Sequence, residues 1–359
     1  MNTKSGSLSI AIICSCAILS KYLVILPEYM VKLVGNAAWL DVLAKCILAT
    51  ISLFLVLWLY KPFAPMCFSE TFSIACGKSG KVFFSYIYVI FLTIFNALLL
   101  RLLVEALSTV MATVAPDEFF ALFILLPVFI AAYSGTRATI NLSAIIFPLL
   151  IITIVTVVLA LIPYYRIPNI FPVLGTSKEN LFRGIFVKHF GFPETVLLFF
   201  FAPMLGSYRE VKKAGILTFI IITVISVLFT LAYCLTVPFP ASKSFFLPFY
   251  QMTRMIKSGA FLQRLEPIVV FVWTSFVMCS MSALISTSAA LISGSRERER
   301  KSAFVPILTI ITFFVSMLPK SEGSSFFLYE KMLSFSTVLF PTLPVIILTI
   351  ARIRRKAKT

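Results

Sequence analysis

The sequence predicts an all-α integral membrane protein with about ten transmembrane helices, and three observations support this fold class. Hydrophobic residues make up 60% of the 359-residue chain, whereas soluble domains average roughly 45–50%, and the mean hydropathy is +1.02. Long apolar segments follow one another between residues 7 and 353. Polar residues interrupt the first and the sixth of these segments near their middle, which is typical of transporter-type binding sites at the bilayer midplane.

Each apolar segment is close to the length of about 20 residues that crosses the hydrocarbon core. No gap between segments exceeds about 30 residues, whereas a soluble domain needs about 50. We therefore expect one polytopic membrane domain over residues 1–359, with five spans within residues 7–162 and five within residues 183–353. The predicted spans are 7–27, 38–60, 82–108, 119–133, 140–162, 183–205, 214–236, 267–291, 304–319 and 336–353.

The charge distribution predicts how the chain sits in the membrane. The net charge is +17, from 31 Lys and Arg against 14 acidic residues. The basic residues occupy short segments between apolar runs without a nucleic-acid-binding motif, so anionic lipid headgroups are the expected partner rather than nucleic acid. The basic residues are concentrated in every second segment between the spans, which predicts that both termini are cytoplasmic. The connection 163–182 should then be extended and external, and residues 245–262 either lie flat on the outer surface or form an ordinary loop.

Neither an enzyme nor a metal protein is expected. The seven cysteines are scattered without metal-ligand or CxxC redox spacing. Walker A, HExxH and GxSxG motifs are absent from the sequence. The single histidine, His189, falls near the outer end of the sixth span, where we interpret it as an interfacial residue. No catalytic residue, cofactor or metal is therefore predicted.

The first interruption is Ser20-Lys21-Tyr22. A charged group within a span is costly and is a functional candidate by default. The Lys21 ammonium could bind a ligand carboxylate or occupy the place of a transported cation. Alternatively, it could extend to the interface or pair with an acidic residue of a neighbouring helix.

The second interruption contains Gly191-Phe192-Pro193-Glu194. Proline lacks a backbone N–H and glycine is flexible, so the helix should break here. The Glu194 carboxylate could bind a ligand ammonium or carry a proton. It could equally cap the helix that starts after the break.

Other polar residues within the spans have mainly structural interpretations. Arg101 and Glu105 are four residues apart on one helix face, as are Asp41 and Lys45, and each pair is expected to form an ion pair. Two further residues are candidates for lining a cavity, or alternatively for helix packing. They are Asn96 and Trp273.

Three local motifs resemble those of the spore-germination permease-like proteins, the B subunits of nutrient germinant receptors. Residues 131–148 contain the stretch AAYSG followed by IFP, and residues 169–175 read NIFPVLG. Residues 261–266 read FLQRLE and precede Trp273, which is the most specific of the three matches. In this order and at these intervals, the motifs extend the resemblance over essentially the whole chain.

That family belongs to the amino-acid/polyamine/organocation transporter superfamily. The resemblance therefore implies a LeuT-like, five-plus-five inverted repeat with broken helices 1 and 6. It further implies a small nutrient ligand, often an amino acid, a spore inner-membrane location, and partnership with an A subunit and a C-subunit lipoprotein. Arg264 and Glu266 match the family motif, and we expect them to brace a loop. Ser20-Lys21 replaces the glycine usual at the first break, which leaves open a lysine-assisted carboxylate site or a site for another ligand.

Three functions are compatible with these features. The first is a nutrient sensor, in which a ligand biases the fold between two states and partner subunits transmit the signal. The second is an amino-acid permease driven by protons or sodium. The third is a structural or channel-type subunit without a working pocket, which the polar residues at both breaks disfavour. Under the first two, the expected ligand-site residues are Ser20, Lys21, Tyr22, Asn96, Gly191, Phe192, Pro193, Glu194 and Trp273.

Overall fold

A computed structural model describes residues 6–24, 26–111, 115–187, 192–244, 247–256, 265–294 and 303–356, and these residues form helices and turns without a β-strand. Its α-helices are numbered here in chain order. They are α1 Ser7–Val24, α2 Leu26–Val34, α3 Ala38–Tyr60, α4 Phe68–Met111, α5 Asp117–Tyr133, α6 Thr136–Ala160, α7 Lys178–Phe182, α8 Val196–Leu205, α9 Tyr208–Thr236, α10 Pro248–Arg254, α11 Glu266–Ser293, α12 Val305–Ser316, α13 Glu322–Thr337 and α14 Leu343–Lys356.

Several of the described helices are long and apolar enough to cross a membrane. By length and composition, six stretches qualify among the described residues, and shorter apolar helices accompany them. The six stretches are Pro27–Phe63, Phe68–Met111, Thr136–Ala160, Tyr208–Thr236, Glu266–Ser293 and Gly323–Arg355. The chain is therefore built as a multi-pass membrane protein.

The first helix corrects one prediction. Helix α1 passes through Ser20-Lys21-Tyr22 without a break, ends at Val24, and is followed by α2 from Leu26. The Ser20 hydroxyl donates to the Ala17 carbonyl at 2.8 Å, so this polar side chain is satisfied within an intact helix. Pro27 lies in the first turn of α2, a position that suits proline because the N–H it lacks has no partner within a helix there.

The sixth span is broken where the sequence predicts. After α7, residues Arg183–Val187 form a π-helix, and the chain resumes as a 3-10 turn over Pro193–Thr195 that leads into α8. Phe192, just before that turn, has φ −97° and ψ 78°, outside the helical region. Proline at the first helical position explains why the new helix starts at this residue.

Two spans are longer than the hydropathy pattern predicts. Helix α4 begins at Phe68 instead of residue 82, with non-helical backbone at Gly77 (φ 78°, ψ −174°). Its polar first part lowers the hydropathy, but Lys81 is paired there with Glu70 at 2.7 Å. The last span begins at Glu322 instead of residue 336, and a π-helix over Val338–Thr342 joins α13 to α14. The predicted start of the last span is wrong because α13 turns polar residues such as Ser325 into the core. In α4, the kink at Gly77 separates the polar first part from the apolar span that follows.

The two connections predicted to lie outside the membrane contain helical turns. Residues Ile162–Tyr164 and Ile167–Ile170 form 3-10 turns, so the connection between the halves is not fully extended as predicted. Within 245–262, helix α10 packs against α1, α9 and α11. Its Phe249 and Met252 are buried, so this helix lies against the helix bundle. Residues 257–262 lie outside the described part of the chain.

Helix packing is consistent with a five-plus-five repeat. The third span α4 packs against the eighth span α11, and the second span α3 packs against the seventh span α9. Helix α11 also packs against α5 and α6, the fourth and fifth spans. In the same way, α4 packs against α12, the ninth span, and against α13 and α14, which form the tenth. Exchanging the first five spans for the last five therefore reproduces these neighbours, and in this exchange α1 corresponds to the sixth span.

Candidate functional site

The central feature is a buried ion pair between the first helix and the sixth span. Lys21 of α1 donates from Nζ to Oε2 of Glu194 at 2.8 Å, and neither residue has measurable solvent exposure. The two residues are 173 positions apart. Glu194 lies in the 3-10 turn that follows the break, so the break places a carboxylate opposite the lysine.

Aromatic rings surround the lysine ammonium. Lys21 Nζ lies 5.4 Å from the ring centroid of Phe192 and 5.7 Å from that of Phe95 on α4. Both distances are within the range of a cation–π interaction, which is stronger where water is excluded. The pair therefore sits in an apolar, aromatic environment in which an unpaired charge would be costly.

The neighbours of Lys21 in the sequence contact other helices. The Ser20 hydroxyl lies 3.1 Å from the Ser280 hydroxyl on α11, and the Tyr22 hydroxyl lies 3.3 Å from that of Thr230 on α9. One turn of α1 thus contacts α9, α11 and the 3-10 turn before α8 through three successive side chains. Of the residues predicted at the first interruption, Lys21 is the one that reaches the second.

The remaining ligand-site candidates differ in how the structure accounts for them. Phe192, Pro193 and Glu194 lie together beside Lys21, whereas Gly191 lies outside the described residues. Asn96 and Trp273 are buried, and their side-chain nitrogen and oxygen atoms have no hydrogen-bond partner among the described residues. Their position in the core and these unsatisfied groups are compatible with ligand contact, but neither side chain hydrogen-bonds to Lys21 or Glu194.

A second buried ion pair lies within α3. Lys45 donates from Nζ to Oδ2 of Asp41 at 2.6 Å and also to Sδ of Met30 on α2 at 3.2 Å. Both ionised residues of this pair are buried. The spacing of four residues that marked them in the sequence thus corresponds to a pair on one helix face.

The Arg101 and Glu105 side chains belong to a network that connects three helices. Arg101 Nε lies 2.7 Å from Oε1 of Glu105, and Arg101 Nη1 lies 2.9 Å from Oδ2 of Asp117 at the start of α5. Ser325 of α13 donates to the same Glu105 oxygen at 2.6 Å. This network fastens α4 to α5 and α13. Glu266 is the first residue of α11, and Arg264 lies outside the described residues.

Sequence reasoning missed Tyr329. It lies on α13, before the predicted start of the last span, and is 1% exposed. Its ring stacks on Phe95 with centroids 5.8 Å apart, and the same Phe95 ring lies beside the Lys21 ammonium. The available signal was the spacing of Ser325 and Tyr329, one helical turn apart, which places both on one face of a helix.

The arrangement provides binding groups rather than catalytic ones. It offers an ammonium, a carboxylate with one unpartnered oxygen, Oε1, and aromatic walls. Among the described residues, no group of three or more His, Cys, Asp or Glu side chains is placed to hold a metal ion. Such a site can bind a small molecule that carries both positive and negative groups.

Solved transporters share this fold. A Na⁺-coupled sialic acid symporter in a substrate-bound outward-open state matches with a TM-score of 0.69 at 14% sequence identity, over 98% of this chain and 79% of that chain. A nucleobase-cation-symport-1 family transporter, in a closed conformation with bromovinylhydantoin bound, matches with a TM-score of 0.64 at 13% identity, over 96% and 78%. The protein is thus a multi-pass membrane protein with the LeuT-like transporter fold.

The particular family follows from the sequence. The model of the spore germination protein family matches residues 7–325, and the chain belongs to that family. It is 22% identical over 334 residues to the spore germination protein YndE of Bacillus subtilis (strain 168), covering 89% of this chain and 88% of that relative. These relatives are germination proteins and transporters rather than enzymes, in agreement with the predicted absence of catalysis.

Proposed function

We propose that this protein is the membrane subunit of a spore nutrient germinant receptor, and that it binds a small nutrient, an amino acid, in its transporter-like core. The Lys21–Glu194 pair is the observation that carries the proposal. In this proposal, the protein lies in the spore inner membrane with both termini cytoplasmic. An A subunit and a C-subunit lipoprotein are its partners in converting ligand binding into germination.

The charge balance of the pair supports a zwitterionic ligand. Each charge already has a partner, and a buried charge left alone costs about 3–5 kcal/mol. A ligand with one carboxylate and one ammonium can exchange partners with the pair, the carboxylate to Lys21 and the ammonium to Glu194. A ligand with a net charge leaves one of the buried groups uncompensated, so it binds less well.

The location of the pair supports a signalling role. Lys21 belongs to α1 and Glu194 to the turn after the break in the sixth span, so a ligand inserted between them changes the distance between two elements. Such a ligand has different affinities for the paired and the separated arrangement. This differential affinity is the requirement for shifting a two-state equilibrium.

The proposal is tested by ligand-induced thermal stabilisation of the purified protein with amino acids and sugars. A ligand that binds the native state raises stability by about 2.7 kcal/mol at a hundredfold excess over Kd. We expect one or more neutral amino acids to stabilise the protein, and their decarboxylated and deaminated analogues to fail. Stabilisation by both analogues, or by sugars alone, would contradict the zwitterion assignment.

Variants locate the site. Lys21→Ala and Glu194→Ala should each remove the stabilisation and blunt the nutrient response of spores at unchanged protein level. Lys32→Ala is a matched control, because Lys32 is likewise paired with a carboxylate, that of Glu28, but is partly exposed. If both site variants respond like the control, the ligand does not bind at the pair.

An active amino-acid permease coupled to protons or sodium is the second candidate, favoured by the transporter fold. Reconstitution into proteoliposomes distinguishes the two functions. A permease accumulates a labelled ligand when a proton or sodium gradient is applied, whereas a sensor binds the same ligand without accumulating it.

A further inference from the structure

Helix α13 is held against the core by two hydrogen bonds to other helices. Ser325 donates to Glu105 of α4 at 2.6 Å, and Glu330 accepts at 2.8 Å from the hydroxyl of Tyr29 on α2. The two contacts lie on either side of Tyr329 along the helix. They fix the position of α13 relative to both α4 and α2, and therefore the position of the Tyr329 side chain.

Tyr329 lies at the ion pair. Its ring stacks on Phe95 with an interplanar angle of 30°, and the same Phe95 ring lies 5.7 Å from Lys21 Nζ. The Phe95 ring thus contacts both Tyr329 and the lysine of the pair. Three elements, α1, α4 and α13, therefore meet beside the Lys21–Glu194 pair.

Two polar atoms at this place have no partner among the described residues. They are the Tyr329 hydroxyl and Oε1 of Glu194. A buried tyrosine hydroxyl normally finds a partner, because leaving it unsatisfied is unfavourable. The two groups do not bond to each other, so a third group is needed to satisfy both.

We infer that the Tyr329 hydroxyl is a ligand-binding group and that, with Oε1 of Glu194, it forms a subsite for the primary ammonium of the ligand. This inference rests on the proposed function and deepens it. A primary ammonium has three N–H donors and can donate to both oxygens while its carboxylate approaches Lys21. A quaternary ammonium has no N–H and cannot satisfy either oxygen. The ligand class is therefore a zwitterion with a free amino group.

The test compares two tyrosine-to-phenylalanine variants of the purified protein. Tyr329→Phe removes a hydroxyl without a partner, whereas Tyr233→Phe removes a buried hydroxyl that donates to the Ser242 carbonyl at 2.7 Å. The first readout is the melting temperature without ligand. The second readout is the affinity for an equimolar mixture of L-amino acids with uncharged side chains. The N-trimethyl betaines of the same amino acids serve as a comparison ligand.

We expect Tyr329→Phe to melt at or above the wild-type temperature and to bind the amino-acid mixture about tenfold or more weakly, as for a lost hydrogen bond to a charged group. Tyr233→Phe should melt lower and bind normally, and the betaines should not stabilise the wild type. The inference is overturned if Tyr329→Phe keeps wild-type affinity, or if the betaines bind as well as the amino acids.

The melting comparison separates a failure of this inference from a failure of the proposed function. If the amino-acid mixture does not stabilise even the wild type, the amino-acid ligand of the proposed function is wrong. In that case, a Tyr329→Phe variant as stable as the wild type still supports a Tyr329 hydroxyl that is not engaged within the protein and can bind a ligand. A loss of stability equal to that of Tyr233→Phe shows instead that the Tyr329 hydroxyl has a structural partner, and overturns the inference.

Discussion

Two buried lysine–carboxylate pairs in this protein have the same chemistry but different connections. Lys21 and Glu194 join α1 to the turn after the broken sixth span, whereas Lys45 and Asp41 lie four residues apart within α3. The Nζ–O distances are 2.8 and 2.6 Å. The first pair depends on the tertiary arrangement of the helices, while the second can form within a single helix.

In both pairs, one carboxylate oxygen has no hydrogen-bond partner within the described part of the chain. These atoms are Oε1 of Glu194 and Oδ1 of Asp41. Asp41 Oδ1 is tightly packed, because a Cβ added to Gly184 would lie 2.9 Å from it. At the first pair, by contrast, the Tyr329 hydroxyl is also without a partner among the described residues, and its ring stacks on the Phe95 ring beside Lys21. An unsatisfied buried oxygen is therefore not enough to indicate a ligand site, and the presence of further unsatisfied groups from other elements distinguishes the two places.

The largest expected effect comes from removing each pair in turn. Lys21→Met leaves the Glu194 carboxylate buried and alone, and should lower the free energy of unfolding by about 3–5 kcal/mol. The double variant Lys21→Met/Glu194→Gln should recover most of that stability, because neutral replacements of a buried pair are often tolerated. Neither variant should be stabilised by an amino-acid ligand. Melting curves with and without the ligand measure both effects.

The matched double variant is Asp41→Asn/Lys45→Met. It removes the same two charges from α3, so its stability should also remain close to that of the wild type. Unlike the first double variant, it should keep the full ligand-induced stabilisation. Loss of that stabilisation here would place the second pair in the ligand site and remove the distinction drawn between the two pairs.

A smaller effect is expected from filling the space beside Asp41. In Gly184→Ala the new Cβ would lie 2.7 Å from Cγ1 of Val34 as well as close to Asp41. Such overpacking costs about 1–3 kcal/mol, so the melting temperature should fall while ligand affinity stays unchanged.

Gly323→Ala is the control for this change. Gly323 lies on α13 and has no heavy atom within 4 Å of an added Cβ. Alanine is favoured over glycine in a helix by about 1 kcal/mol, so this variant should be as stable as the wild type or more stable. Equal melting temperatures for the two alanine variants would mean that the space beside Asp41 is not tightly filled.

Much of the fold was predictable from hydropathy, because a span needs a continuous apolar stretch, and α3 begins and ends at the predicted residues. The two members of the central pair were also predictable, since charged residues stood at corresponding places in the two halves. The position of the first break was not, because the Ser20 hydroxyl is satisfied within α1. Tyr329 was missed because α13 has a polar composition, and hydropathy does not show that a polar helix turns its side chains into the core.

The smallest expected effect concerns the contact of Ser20 with α11. Ser280→Ala removes the 3.1 Å hydroxyl contact between the two serines, but Ser20 keeps its 2.8 Å hydrogen bond to Ala17. The loss should therefore be one ordinary hydrogen bond, about 0.5–1.5 kcal/mol of unfolding free energy, with ligand affinity unchanged. Ser282→Ala is the control, because Ser282 donates to the Cys279 carbonyl of its own helix and its removal should cost less. A Ser280→Ala variant that loses ligand binding like Lys21→Met would extend the ligand site from the ion pair to the α1–α11 contact.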